Sequence, residues 1–319
     1  MQPPDLLGGA ITTATAAAAA TAAAEVKTQK EEAGNEKEEE EEVEEEEEEE
    51  AYFDVDKVQG HRVASYAIFA DAATVSHARA NVAVLQVPRL SPLDACLLSE
   101  DGEASIDLTG NRVWLGARIL AQYFGFEDKS SLPRSVLELG AGTGFVGLAL
   151  ALLGAEKVHC TDAAPEILQL LHRNVALNPD AVSRTVIRQL VWTESIGDKE
   201  EEEEDKDTDT YDLVVAAECV YDLGVLPALL STALRHTRRT TPAGRFLMCN
   251  CTSRLLMSSA ATNDLIEAKA IDVGFAKVER LAISPAFQRA VVHGAPENQR
   301  NQVAAALEQE SVSFLSFTV

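Results

Sequence analysis

Three glycines at alternate positions, Gly140, Gly142 and Gly144, follow the short apolar run Ser135 to Leu139 and precede the apolar stretch Phe145 to Leu153. A strand that turns sharply, exposes its backbone to a ligand and starts a helix against a sheet penalises a Cβ at each of these steps. The run Lys157 to Thr161, read as a second strand, ends in Asp162, about twenty residues beyond the turn, where a carboxylate can accept from both hydroxyls of a ribose. A dinucleotide site would use the wider spacing G-x-G-x-x-G to seat a pyrophosphate on the helix terminus. Here the spacing is G-x-G-x-G, and Glu138 stands two residues before the first glycine. An acid beside the turn suits a ligand with cationic centres and no phosphate. S-adenosyl-L-methionine has that chemistry, with its sulfonium and ammonium. Gly140, Ala141, Gly142 and Gly144 are therefore expected at the cofactor together with Glu138 and Asp162, although Glu138 could instead cap backbone amides.

A second constellation, Glu218-Cys219-Val220-Tyr221, follows the apolar run Tyr211 to Ala217. An acid and an aromatic hydroxyl at the carboxyl end of a parallel strand lie where ligands bind in open α/β sheets. They are candidates for orienting and deprotonating an acceptor, the alternative being a helix-start acid and a packed ring.

The elements that must position these groups alternate. Strands are expected at Ser135 to Leu139, Lys157 to Thr161, Val186 to Val191, Tyr211 to Ala217 and Arg245 to Cys251. Helices are expected at Gly144 to Leu153, Pro165 to Leu177, with proline in its first turn, and Leu255 to Val273. Repeated β-α units imply a parallel sheet covered on both faces. Ala276 to Ile283 and Val312 to Thr318 read as two final strands, an antiparallel hairpin on one edge. Upstream, Asn111 to Phe124 places Val113, Trp114, Ala117, Leu120 and Ala121 at helical spacing. Residues 51–110 carry strand-like stretches at Val63 to Phe69 and Val82 to Val87 but no chemical motif, and read as an extension packing on the domain.

Charge is concentrated in two places. Residues 31–50 hold fifteen Glu and one Lys, and residues 198–209 hold nine acids and two Lys. These runs account for all but −4 of the formal net charge of −25. The nearly neutral remainder does not suit phosphate backbones, so direct nucleic-acid binding is not expected. Such runs repel themselves and bury little, so residues 1–50 are expected as a disordered Ala/Thr-rich and acidic tail and residues 198–209 as a surface loop. A docking role toward a basic partner is the alternative. The five cysteines form no C-x-x-C pair and no zinc spacing; reduced thiols in a cytoplasmic or nuclear protein are expected, with no metal. No run is long and apolar enough to span a membrane.

The segments GNRVWLGARILAQYF, VLELGAGTGFVGLALALLGAEKVHCTDAAPEILQLLHRNVALN and VVAAECVYD resemble those of the seven-strand protein-lysine methyltransferases, family 16, over residues 110–318. The resemblance implies a Rossmann-like class I methyltransferase fold of seven strands over 111–319. It also implies transfer of a methyl group from S-adenosylmethionine to a lysine of a protein substrate. Trp114 then corresponds to a tryptophan lining the cofactor, Trp192 to one bordering the adenine, and Ala217 to a residue contacting the cofactor. From the residues alone, Trp114 could be core and Trp192 could pack beneath the sheet. Glu218 and Tyr221 match the family's acid-x-x-aromatic motif, with Glu where Asp is usual. The family's Leu-Asp-Trp is replaced by Leu190-Val191-Trp192, which removes an acid from the adenine edge. The working unit is expected to be a monomer acting on a protein, a basic one if the acidic runs take part. Two other functions fit the scaffold: a small-molecule amine methyltransferase and a non-catalytic acidic binding module.

Overall fold

The structure is a computed structural model that describes residues 61–70, 78–87, 108–126, 132–194, 209–240, 243–251, 259–309 and 312–319. The expected tail 1–50, the acidic run as far as residue 208, and Cys96 lie outside the described residues. Every described residue belongs to one unit, Val55–Val319.

The β-rich segments near the start form an antiparallel pair, β1 (Arg62–Phe69) and β2 (Ala78–Gln86). Val82 and Val84 of β2 are fully buried, and Tyr66 of β1 meets Phe145 edge-on with ring centroids 4.9 Å apart. Helix α1 (Leu115–Phe126) follows, preceded by a 3-10 turn over Leu108–Asn111. Sequence periodicity places Trp114 on that helix. In the structure it stands one residue before it: Val113 and Trp114 keep helical spacing in sequence but lie in the non-helical link between the 3-10 turn and α1.

Next come β3 (Ser135–Leu139), α2 (Phe145–Leu153), β4 (Lys157–Asp162), α3 (Pro165–Ala176), α4 (Pro179–Val182) and β5 (Thr185–Gln189). The chain then returns through β6 (Leu213–Ala217), α5 (Leu226–His236), β7 (Arg245–Cys251) and α6 (Ser259–Val273). It ends with β8 (Lys277–Arg280), α7 (Pro285–Gly294), α8 (Arg300–Gln309) and β9 (Val312–Thr318).

Among the described residues seven strands form one sheet in the order β5-β4-β3-β6-β7-β9-β8. The first five of these pair in parallel, whereas β9 runs antiparallel to both neighbours. The expected antiparallel end is present, but β8 and β9 are joined through α7 and α8 rather than a tight turn, and β9 inserts between β7 and β8. Sequence reading had no helix at α5, α7 or α8.

Two apolar clusters flank the sheet. Phe145, Leu148 and Leu150 of α2 pack with Val158 and the β1–β2 pair on one side, and Leu229 and Leu230 of α5 pack with Phe246 and Phe317 on the other. Strand β3 is buried on both faces from Val136 to Leu139, which explains its largely apolar run, interrupted within the buried part only by Glu138. The chain winds from β3 outward to β5, then back to β6 on the other side. A crevice therefore opens between the carboxyl ends of β3 and β6, the topological switch point where such sheets bind ligands.

Candidate cofactor and acceptor site

The glycine turn occupies that crevice. Gly140 and Gly142 have φ of 62° and 54°, backbone that disfavours any side chain. A Cβ on Gly142 would lie 2.9 Å from the Gly110 carbonyl oxygen. One on Gly140 would lie 2.9 Å from Cys219 Sγ and 3.0 Å from Trp192 Cζ2. The turn is tied to β4 at three points: the Ala141 N–H donates to the Thr161 carbonyl (2.8 Å), the Gly142 N–H to Asp162 Oδ2 (3.0 Å), and the Thr161 hydroxyl to the Glu138 carbonyl (2.7 Å). The other Asp162 oxygen accepts the Ala164 N–H at 3.2 Å. Asp162 thus fixes the turn and lines the cavity described below.

Glu138 is buried, and its Oε2 accepts the Gly147 N–H from α2 at 2.8 Å. Burial pushes its pKa up to about 8, against the lowering effect of the Gly147 amide and the Cys160 thiol. Glu138 thus caps a helix amide and also lines the cavity below.

At the end of β6, Glu218 adopts φ 60°, the left-handed region that a non-glycine residue enters at a cost of order 1–3 kcal/mol. Three hydrogen bonds hold it there. Its N–H donates to the Cys249 carbonyl (2.9 Å), Oε1 accepts the Gly116 N–H (2.7 Å), and Oε2 accepts the Cys251 N–H (3.1 Å). The carboxylate thus bridges the first turn of α1 and the end of β7.

Trp114 is positioned from the other direction. The end of β2 holds the segment before α1: Val87 N–H donates to the Asn111 carbonyl (2.8 Å), and Gln86 Oε1 accepts the Val113 N–H (2.9 Å). Strand β2 is itself anchored by Asn174 and Asn178, whose Oδ1 atoms accept the Leu85 and Ala83 N–H groups at 2.6 and 2.9 Å. The N-terminal pair, for which the sequence offered no chemistry, thereby orients a wall of the site.

These groups enclose a cavity of about 470 Å³, within the ~300–1,000 Å³ usual for small-molecule sites. Trp114, Glu138, Gly140, Ala141, Gly142, Asp162, Trp192, Ala217, Glu218 and Tyr221 all line it. Tyr221 and Val191 are 46% and 61% exposed, as expected of residues at a mouth. Gly144, expected at the cofactor, does not line the cavity. Its φ of 74° starts α2, and a Cβ there would strike Leu171. Its glycine is required for packing behind the turn.

The cavity also recruits residues the sequence did not single out. The Arg112 guanidinium stacks 4.0 Å over the Trp114 ring. Ala163, Ala164 and Ala228 contribute small side chains to the wall, and Gly224 contributes backbone. The Ala-Ala-Pro following Asp162 carried a usable signal, small residues before a helix start. Gly224, in a 3-10 turn, and Ala228, on the first turn of α5, carry no such signal.

The topology, with its cavity at the switch point, is the Rossmann-like class I methyltransferase fold. A family model described as lysine methyltransferase matches residues 95–260, just over half of the sequence, and the chain belongs to that family. It is 33% identical over 142 residues to methyltransferase-like protein 22 of Mus musculus, covering 41% of this chain and 36% of that protein. It is 35% identical to protein N-lysine methyltransferase METTL21A of Xenopus tropicalis (38% of this chain, 53% of that one). It is 34% identical to protein-lysine N-methyltransferase EFM6 of Saccharomyces cerevisiae (47% and 66%). The matched regions thus span about a third to two-thirds of these relatives. Among solved structures, the glycopeptide N-methyltransferase MtfA, complexed with sinefungin, superposes with a TM-score of 0.44 and 15% identity over 64% of this chain and 93% of that one.

Proposed function

We propose that this protein transfers a methyl group from S-adenosylmethionine to the ε-amine of a lysine in another protein. The observation that carries this reading is the single cavity in which the Gly140–Gly142 cradle and Asp162 lie together with Glu218 and Tyr221. The protein-lysine methyltransferases among its relatives support the choice of acceptor.

The cofactor supplies an electrophilic methyl group on a sulfonium. The remaining work falls to the protein. Asp162 accepts from ribose hydroxyls, and Trp192 with Val191 borders the base. Glu138 faces the cationic methionine end, and the missing Cβ atoms at Gly140 and Gly142 leave room for close backbone approach. An acceptor lysine must be neutral to attack. With an ordinary lysine pKa near 10.4, the neutral fraction at pH 7 costs roughly 4.6 kcal/mol. Apolar walls and a neighbouring cation disfavour the ammonium. Alignment of two reactants can supply up to ~7–11 kcal/mol, so positioning outweighs the protonation deficit. The Tyr221 hydroxyl orients the amine nitrogen, and the proton leaves to solvent at the open mouth. Glu218, with both oxygens on backbone N–H groups, fixes the wall against which the amine is aligned.

Incubation of the full chain with methyl-labelled S-adenosylmethionine and a cell extract tests the reading. Label in protein supports it; label confined to small molecules favours a small-molecule amine as the acceptor.

A further inference from the structure

A second cavity of about 360 Å³ adjoins the first and shares Arg112, Trp114 and Glu218 with it as a common wall. Its other sides come from the end of β2 (Gln86), the first turns of α1 (Arg118) and α8 with its approach (Gln299, Gln302). These elements lie outside the glycine turn and Asp162, and the proposed transfer uses none of Gln86, Arg118, Gln299 or Gln302.

Their polar groups are unevenly satisfied. Gln86 is engaged at both ends of its amide, donating to the Tyr66 hydroxyl (2.6 Å) and accepting from Val113 (2.9 Å). Glu218 is the one acid lining this cavity, and both its oxygens hold backbone N–H groups. Arg118 donates through Nη2 to Gln299 Oε1 (2.8 Å) and to the Tyr66 hydroxyl (3.3 Å), and lies 5.0 Å over the Tyr66 ring. Its Nε is buried with no acceptor among the described residues, and no carboxylate of those residues pairs with the guanidinium. Such a guanidinium, with no carboxylate of the described residues paired to it, gains from an anion that reaches its Nη groups, the Nε–H itself being buried away from the cavity surface. Arg112, stacked on Trp114, also lines this cavity.

We propose that this second cavity receives an acidic side chain of the substrate polypeptide, with its carboxylate accepting from Arg118. The inference rests on the proposed lysine methylation and narrows it: the favoured lysine has Asp or Glu close by in sequence. A planar carboxylate matches the fork of a guanidinium. An extended chain advances ~3.3–3.6 Å per residue, so an acid about one to four residues from the lysine spans two cavities that share a wall.

The test uses the full chain, S-adenosylmethionine, and synthetic peptides with one lysine in a neutral background, scanned with Glu or Gln at each flanking position. Methyl transfer is expected to be at least tenfold more efficient, in kcat/KM, with Glu than with Gln at one or more positions. Arg118→Gln should abolish that preference and leave affinity for S-adenosylhomocysteine unchanged. Because Arg118 also supports Tyr66 and Gln299, Gln302→Glu serves as a second variant. Gln302 is exposed, and a carboxylate there competes for the guanidinium, so the preference should fall at least threefold in a normally folded protein. Equal turnover of Glu and Gln peptides, or a preference that survives both variants, overturns the proposal. If no peptide is methylated, binding of fluorescent Glu and Gln peptides to the S-adenosylhomocysteine-loaded chain decides. Arg118-dependent selection of the Glu peptide upholds the carboxylate site while counting against lysine methylation, and equal binding rejects the site.

Discussion

Glu218 Oε1 accepts the backbone N–H of Gly116 at 2.7 Å, joining two residues 102 positions apart in sequence. This bond ties the acid after β6 to the first turn of α1, immediately beyond Trp114. There is little space to vary it: a Cβ on Gly116 would lie 2.7 Å from both the Glu218 oxygen and the Cys249 carbonyl. An acid with both oxygens on amides is built to position. Glu218→Gln turns an amide N–H toward a backbone N–H, leaving a buried donor unmet, a change that costs about 1–3 kcal/mol. The variant should therefore lose stability in denaturant titration together with turnover. Its pH–rate profile should keep the wild-type shape. A loss of ~10² to 10⁴-fold with unchanged stability would instead mark Glu218 as a general base.

Tyr221 differs, being half-exposed at the cavity mouth. Tyr221→Phe keeps the ring and removes only the hydroxyl. Turnover should fall about tenfold or more, the lower part of what one oriented polar group contributes. Affinity for S-adenosylhomocysteine, read by calorimetry, should remain within about twofold. A wild-type rate would make the ring a packing element only.

Gly142 tests the cradle. Its φ of 54° and the Gly110 carbonyl 2.9 Å from a built Cβ mean that even alanine must displace the segment before α1. Gly142→Ala should weaken S-adenosylhomocysteine binding at least tenfold, and Gly142→Arg should abolish it while the sheet remains folded by circular dichroism. Unchanged affinity in either folded variant would move the cofactor elsewhere.

Glu138 gives the protein a pH signature. Its folded pKa, about 8, lies above its ordinary value of 4.5, so the folded state holds a proton that the unfolded chain releases first. The resulting stability is fully present below about pH 4.5 and is lost as pH rises through about 8. The effect is on the order of a few kcal/mol. Glu138→Gln should flatten the stability profile across that window. Binding of a cationic ligand beside Glu138 should expel the proton, so affinity should rise with pH toward 8, with buffer-dependent proton release in calorimetry. A Gln variant with the wild-type pH dependence would assign the signature to another group.

Much of this site was legible because its requirements are local. Alternate glycines after a doubly buried strand, and an acid at the end of the next, announce a turn and a carboxylate beside it from spacing alone. Gly144 shows the limit, since the same pattern covers a glycine that faces Leu171 rather than the cavity. The dual role of Glu138 was open in the sequence because capping and lining differ only in three dimensions. The bridging role of Glu218 was invisible, since Gly116 and Cys251 come near it only after folding. Helices α7 and α8 were missed between β8 and β9, where Pro285, Pro296 and a largely polar α8 blur the apolar period. Helix α5 had a readable pattern in Leu226, Leu229, Leu230, Ala233 and Leu234, all buried. Its omission hid the wall formed by Gly224 and Ala228.

The most direct measurement is the identity of the amino acid that carries the methyl group. Protein from an extract labelled with methyl-tritiated S-adenosylmethionine would be hydrolysed completely and its labelled amino acid separated, with Gly142→Arg as the control. The expected result is label on methylated lysine with the wild-type chain and none with the variant. Label on arginine, glutamine or histidine, or only on small molecules, would contradict protein-lysine methylation by this site.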